Sequence, residues 1–343
     1  MTDLTVASDA TPAEWDAFVD AHPDASGYHA WAWREVLGAG FGHDTSYLAA
    51  RRDGRLVGVL PLVIFRSWLF GRFVVSLPFV NHGGVLASDG AAARALLDSA
   101  MSEVRRVGAA HLELRHVRQQ FPDLPSRTHK VAMHLPLAAT RDAAWTGLDR
   151  KVRNQVRKAE GSGLLVEAGG AELLDGFYRV FAHNMRDLGT PVYSRRFFEA
   201  VLTRLADRAT CIVVRREGEA VAGAITLRWR DTIEVPWASS LKQYRTLSAN
   251  TLLYWAMIER AIAAGATVFD FGRSSPDSGP YHFKRQWGAI EQPLCWEYGL
   301  ADGRTLPNLG TTNPKFALMI AAWKRIPVGL ATALGPRIVR SIP

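Results

Sequence analysis

Apolar and polar positions follow one order along this chain, and that order occurs twice. Residues 47–52 and 56–65 are rich in β-branched and apolar types, and Asp53-Gly54 separates them. An acidic-Gly pair between two such runs predicts a tight β-hairpin. The same arrangement returns at residues 211–215 and 220–230, around Glu217-Gly218. Helical periodicity follows each hairpin, over 91–107 in the first copy and 249–264 in the second. Each helix leads into a Gly-led strand, Gly108-Ala109-Ala110-His111-Leu112 and Gly265-Ala266-Thr267-Val268-Phe269.

Around these landmarks the pattern predicts further elements. Thr11-Pro12-Ala13-Glu14 reads as a capped helix start. A helix is expected at 30–37, strands at 73–77 and 130–135, and one long helix over 142–161. Helices are expected at 173–188 and 195–205, and strands at 234–239 and 295–298. Past residue 301, Pro307, Pro314, Pro327 and Pro336 punctuate a tail with one short helix, 315–325. The order predicts an α/β (α+β) fold in which each copy is a mixed sheet flanked by helices. The expected division is residues 1–141, residues 142–300, and a tail of 301–343 that packs back on the first domain. A doubled domain is expected to place its working cleft between the copies.

Composition narrows the class. The 343 residues suffice for two full cores, and the net charge of +8 favours an anionic partner. Only Cys211 and Cys295 are present, so no disulfide framework is expected. The first residues lack a signal-peptide pattern, and the most apolar stretch is broken by Arg66, Arg72, Pro61 and Pro78. A cytoplasmic protein is the expectation. The apolar tail, with Lys324, Arg325, Arg337 and Arg340 nearby, leaves a peripheral membrane contact as an alternative.

Three segments carry candidate chemistry. The first is the basic run from Arg150 to Lys158, with Val152, Val156 and Ala159 on the opposite helical side. Like charges on one face disfavour a helix unless an anion binds, so Arg153, Arg157 and Lys158 are candidate phosphate or acceptor contacts. The second is Tyr281-His282-Phe283-Lys284, read as a loop after the strand that ends at Arg273. Lys284 is placed to meet an oxyanion or a phosphate, and Arg273 is the second cation. His282 is a weaker candidate base. The third is Tyr244, Arg245, Ser248 and Asn250, ahead of a helix whose first amides can hold an anion. Ser248 can equally be that helix's cap. Signatures of phosphate loops, nucleophile elbows and metal clusters are missing, so no metal is expected.

The chain resembles the FemAB family of peptidyl transferases, built from two tandem GNAT acyltransferase domains. The resemblance rests on Phe41-Gly42-His43, residues 57–62 and 78–84, Lys151 to Ala159, Asp270 to Arg273, and Tyr281 to Gly288. It is close to FemAB-related proteins of exosortase and PEP-CTERM exopolysaccharide systems. It implies acyl transfer to an amine, with Phe283-Lys284 as the family's Phe-Lys motif and Lys284 stabilising the tetrahedral oxyanion. It implies no tightly bound cofactor and a donor that is aminoacyl-tRNA or acyl-CoA. The implied acceptor is a small-molecule, lipid-linked or nucleotide-linked envelope precursor. Asn81, His82 and Tyr281 are placed on the acceptor side. The alternatives are an acyl-CoA-dependent N-acetyltransferase on a small molecule or sugar, and a non-enzymatic adaptor at an exopolysaccharide system. One departure bears on the donor. Where GNAT domains carry glycines before the donor helix, this chain has Ser248 and Asn250. The first copy has Asp89-Gly90-Ala91 there, without a cation, and is expected to bind no donor.

Overall fold

The computed structural model describes residues 3–67, 70–306 and 314–342. In chain order the first elements are β1 (Leu4–Ala7), α1 (Pro12–Ala21), α2 (Ala32–Phe41), β2 (Asp44–Arg52) and β3 (Arg55–Ser67). Then come β4 (Gly71–Val75), β5 (Leu86–Ala87), α3 (Gly90–Arg106), β6 (His111–His116) and β7 (Ser126–Pro136). The middle of the chain holds α4 (Arg141–Gly147), α5 (Arg150–Glu160), β8 (Leu164–Gly169), α6 (Leu174–Leu188) and α7 (Arg195–Arg204). It continues through β9 (Ala209–Arg216), β10 (Glu219–Trp229), β11 (Thr232–Ser240), α8 (Ala249–Ala263) and β12 (Val268–Ser274). The last elements are α9 (Gly279–Arg285), β13 (Ile290–Leu300), α10 (Pro314–Trp323) and α11 (Val328–Val339).

The chain forms two compact units. One comprises Met1–Lys130, Pro293–Leu309 and Arg340–Pro343, the other Val131–Gln292 and Gly310–Val339. In the first unit the strand order is β1-β2-β3-β4-β6-β13, and among the described residues β4 and β6 run parallel. In the second it is β7-β12-β11-β10-β9-β8, and only β11 and β12 run parallel. The amphipathic helix α3 buries Leu96, Leu97, Ala100 and Val104 on the first sheet, and α8 buries Leu252, Leu253, Trp255 and Met257 on the second.

The two predicted hairpins form, and for the predicted reason. Asp53 and Gly54 have φ of 50° and 79°, and Glu217 and Gly218 have 52° and 82°. Two consecutive left-handed residues make the turn whose twist matches paired strands. Even a side-chain bond repeats. Arg51 Nη1 donates to Gly54 O at 3.2 Å, and Arg215 Nη1 to Gly218 O at 3.1 Å.

Four expectations change. The long helix over 142–161 is two helices, because Asp149 accepts from the Lys151 amide at 2.6 Å and starts a new one. The segment after Ser278 is the helix α9 rather than a loop, since the Ser278 hydroxyl caps the Tyr281 amide and Pro280 suits the first turn. The tail holds two helices, and α11 continues through Pro336. Most of the tail belongs to the second unit, not the first. Arg186 on α6 donates to Ile326 O at 3.0 Å. Gly335 on α11 lies so close to Val192 that a Cβ there would meet its backbone N at 2.6 Å. The strands β1 and β8, on the outer edges of the two sheets, were not anticipated.

Candidate active site

The site grows out of a divergence between two parallel strands. β11 and β12 pair only over Thr232↔Val268, Ile233↔Phe269 and Glu234↔Asp270. β11 then runs on to Ser240 without that partner. Beyond the last pair lies a cavity of about 520 Å³, wholly within the second unit. Its walls include Ser239 and Ser240 from β11, Tyr244 and Arg245 from the turn after it, and Ser248 and Asn250 at the start of α8. Phe283 and Lys284 of α9 close it from another side. Thus the donor-side group and the Phe-Lys pair, read from separate stretches of sequence, line one cavity.

Lys284 is the best-defined polar group there. It is 6% exposed, and its Nζ donates to Gly272 O and Arg273 O, each at 3.0 Å. Burial pushes its ammonium down to about 8, against the opposing pull of the Asp270 and Glu234 charges. Phe283 packs edge-on against Tyr254, with centroids 5.0 Å apart. That contact fixes the helix that carries Lys284.

The start of α8 has the shape of an anion cradle. Ser248 adopts φ 58° and ψ 31°, and its side chain makes no capping bond. The capping reading of Ser248 therefore does not hold. A serine takes the left-handed conformation that a glycine would take more easily. The first turn of α8 is left without a side-chain cap, with Arg245 exposed beside it.

Sequence reading missed several wall residues. Asn184 Nδ2 donates to Ser239 Oγ at 3.1 Å, and Thr251 Oγ1 to Gln155 Oε1 at 3.3 Å. Both pairs join distant segments, and no local pattern marks them.

The basic helix α5 buries Val152, Val156 and Ala159, as its period predicts. Its cations divide into two groups. Arg153 Nη1 donates to Thr146 O at 3.2 Å, and the Arg157 guanidinium lies 5.4 Å from the Trp145 ring centroid. Lys158 instead shares an open cleft with Arg150, Lys151, Asn154 and Gln155. Gln155 also belongs to the cavity wall, so cleft and cavity share a side chain. Of the three predicted contacts, Lys158 faces the cleft, and the two arginines lie against α4.

Other candidates are not drawn together. The Tyr281 hydroxyl donates to the Glu291 carboxylate, and Tyr281 is not among the cavity-lining residues. His282 is exposed. Arg273 contributes its carbonyl to Lys284. Asn81 is buried in the first unit, and His82 lines a separate pocket there with its ring edge-on to Tyr28 at 5.1 Å. Among the described residues no group of three or more His, Cys, Asp or Glu could hold a metal ion. No helix among them is long and apolar enough to cross a membrane.

The first unit treats the equivalent strand divergence differently. β4 and β6 pair in parallel at Val74↔Leu112 and Val75↔Glu113. The chain after Val75 then stitches itself to β6. Ser76 N donates to Glu113 O at 2.9 Å, Arg115 N to Ser76 Oγ at 2.9 Å, and Gly83 N to Arg115 O at 3.1 Å. The Arg115 guanidinium adds a bond to Val80 O at 3.3 Å. The gap that opens in one copy is hydrogen-bonded shut in the other.

Residues 148–285 match the family described as Acetyltransferase (GNAT) domain. The chain is similar in structure to the crystal structure of FemX, with a TM-score of 0.61 at 18% identity over 86% of this chain and 96% of that one. L-PGS from Bacillus licheniformis gives 0.58 at 12% identity, over 92% and 98%. A tandem GNAT protein from the clavulanic acid biosynthesis pathway gives 0.56 at 13% identity, over 88% and 100%. No curated protein matches the chain. Residues 148–285 accordingly match a GNAT acetyltransferase domain, in a chain whose fold is similar to that of tandem GNAT proteins.

Proposed function

We propose that the chain transfers an acyl group from a phosphate-bearing carrier in the second-unit cavity to the amine of a cell-envelope precursor. One observation carries this reading: Lys284 and the uncapped start of α8 line the same cavity. An anionic carrier suits the α8 amides and Arg245, because a helix N-terminus carries partial positive charge. Ser248 already holds the left-handed turn, so its side chain does not stop the backbone from forming the cradle. That favours acyl-CoA as donor over aminoacyl-tRNA.

Chemically, the acceptor nitrogen attacks the acyl carbon and its proton passes to solvent. The carbonyl oxygen becomes an oxyanion, and the C–S bond breaks as the carrier thiolate leaves. Lys284 has three N–H donors, two of them directed at carbonyls, and the third serves the oxyanion. The exopolysaccharide association stays with the resemblance, which suggests an envelope precursor as acceptor.

Isothermal titration tests the donor. Binding of CoA or acetyl-CoA with affinity lost in Arg245→Ala supports the reading. Binding of aminoacyl-tRNA without any CoA binding would replace it with the aminoacyl alternative.

A further inference from the structure

We propose that Asp270 is the positioning residue of Lys284, acting by locking a β-bulge in β12. The argument starts from register. β12 pairs with β7 at Asp270↔His134 and next at Arg273↔Ala132, so β12 spends one residue more than β7 between the two pairs. Gly272 lies inside this bulge with φ of 70°. Bulges of this kind re-aim groups beside sites. Here the groups are the Gly272 and Arg273 carbonyls, and both accept from Lys284 Nζ.

The bulge is held by one side chain. Asp270 Oδ1 accepts from the Gly272 amide at 2.8 Å in a buried setting. Its Oδ2 lies 3.2 Å from His134 Nε2, so the cross-strand partner braces the same carboxylate. Burial works against the His134 cation, but the Asp270 hydrogen bond and charge win and raise its pKa. Asp270 is 4% exposed, while His134 is only half-buried. One carboxylate thus does two things for Lys284. It fixes the backbone that receives the ammonium, and it supplies a negative charge that opposes the burial of that ammonium. The other charges acting on Lys284 are Glu234 on β11, of the same sign as Asp270, and Arg273 on β12, of the opposite sign.

This deepens the reading of Lys284 as oxyanion donor and rests on it for its consequence in turnover. Its test does not depend on turnover. The full chain is labelled with trace acetic anhydride between pH 6 and 11, and Lys284 acetylation is read by mass spectrometry. Gly272 amide exchange is followed in parallel. Asp270→Asn keeps an oxygen for the Gly272 amide but loses the charge. The Lys284 labelling midpoint is expected to fall by about one unit or more, with Gly272 still protected. Asp270→Glu keeps the charge but moves the oxygen by one methylene. The midpoint is expected to stay near the wild-type value, with Gly272 protection falling at least tenfold. If Asp270→Asn does not fold, Asp270→Glu decides alone, and wild-type protection in it overturns the lock. Unchanged midpoints in a folded Asp270→Asn overturn the electrostatic half. Full turnover in Lys284→Ala would remove the oxyanion reading while leaving the Asp270–Lys284 relation standing.

Discussion

The Lys284 ammonium donates to the Gly272 carbonyl oxygen at 3.0 Å, so helix α9 is tethered to the end of β12 through a buried cation. A desolvated ammonium is costly unless its hydrogens are satisfied. Two carbonyls meet that need in part.

The first prediction follows from that charge. Lys284→Ala is expected to lower turnover about 100-fold or more with an unchanged circular dichroism spectrum, the scale of losing one oxyanion donor. Since burial pushes Lys284 down to about 8, wild-type turnover should fall as pH rises through that value. Lys284→Arg should abolish this alkaline limb. The stability sign is opposite. Below pH 8 folding keeps a buried cation that the unfolded chain holds in water. Between pH 8 and the ordinary lysine value the unfolded chain binds the extra proton, so stability should rise with pH there. Urea unfolding at pH 7.5 and pH 10 in wild type and Lys284→Ala checks it, as the difference should shrink in the alanine variant.

Ser248 gives a second prediction. A non-glycine residue at φ 58° pays roughly 1 kcal/mol. Ser248→Gly should therefore raise the unfolding free energy by up to about 1 kcal/mol and leave CoA binding intact. A cap whose loss destabilised α8 would give the reverse sign. Thermal unfolding with and without CoA distinguishes the two.

The cleft face of α5 supplies a third. None of Arg150, Lys151 and Lys158 is ion-paired among the described residues, whereas Arg179, Arg195 and Arg215 all meet carboxylates. Replacing Lys151 and Lys158 by Glu should weaken a long polyanion by about 10-fold or more at low salt and change CoA affinity little. Equal loss for both ligands would mean that the face serves the cavity itself. Titrations with short RNA and CoA at two salt concentrations read the difference.

The tail yields the fourth. In Gly335→Ala the new Cβ would stand 2.6 Å from Val192 N, a clash with backbone that a rotamer change does not relieve. Overpacking of this kind costs about 1–3 kcal/mol. Limited proteolysis should then cut after α9 faster than in wild type, with α8 still protected. Unchanged cleavage would show that α11 accommodates the methyl group.

The sequence by itself determined the duplicated hairpins, because the Asp53-Gly54 and Glu217-Gly218 turns are set by local φ preferences. It also determined α3 and α8, whose apolar faces are written in a 3.6-residue period. It marked Lys284, Phe283, Arg245 and Ser248 by residue type and order. Local capping by Asp149 and Ser278 was legible in principle, since both are preferred cap residues, but helical periodicity on either side of Asp149 masked the break. Tertiary structure alone decided the rest. It brought Tyr244, Ser248 and Lys284 to one cavity, because only the pairing of β11 with β12 sets where the strands part. It closed the corresponding gap in the first unit with bonds from Ser76, Gly83 and Arg115. It joined His134, Asp270, Gly272 and Lys284 through a bulge, which depends on register between strands far apart in sequence. Local patterns report preferences within a few residues, whereas a site of this kind is a set of long-range distances.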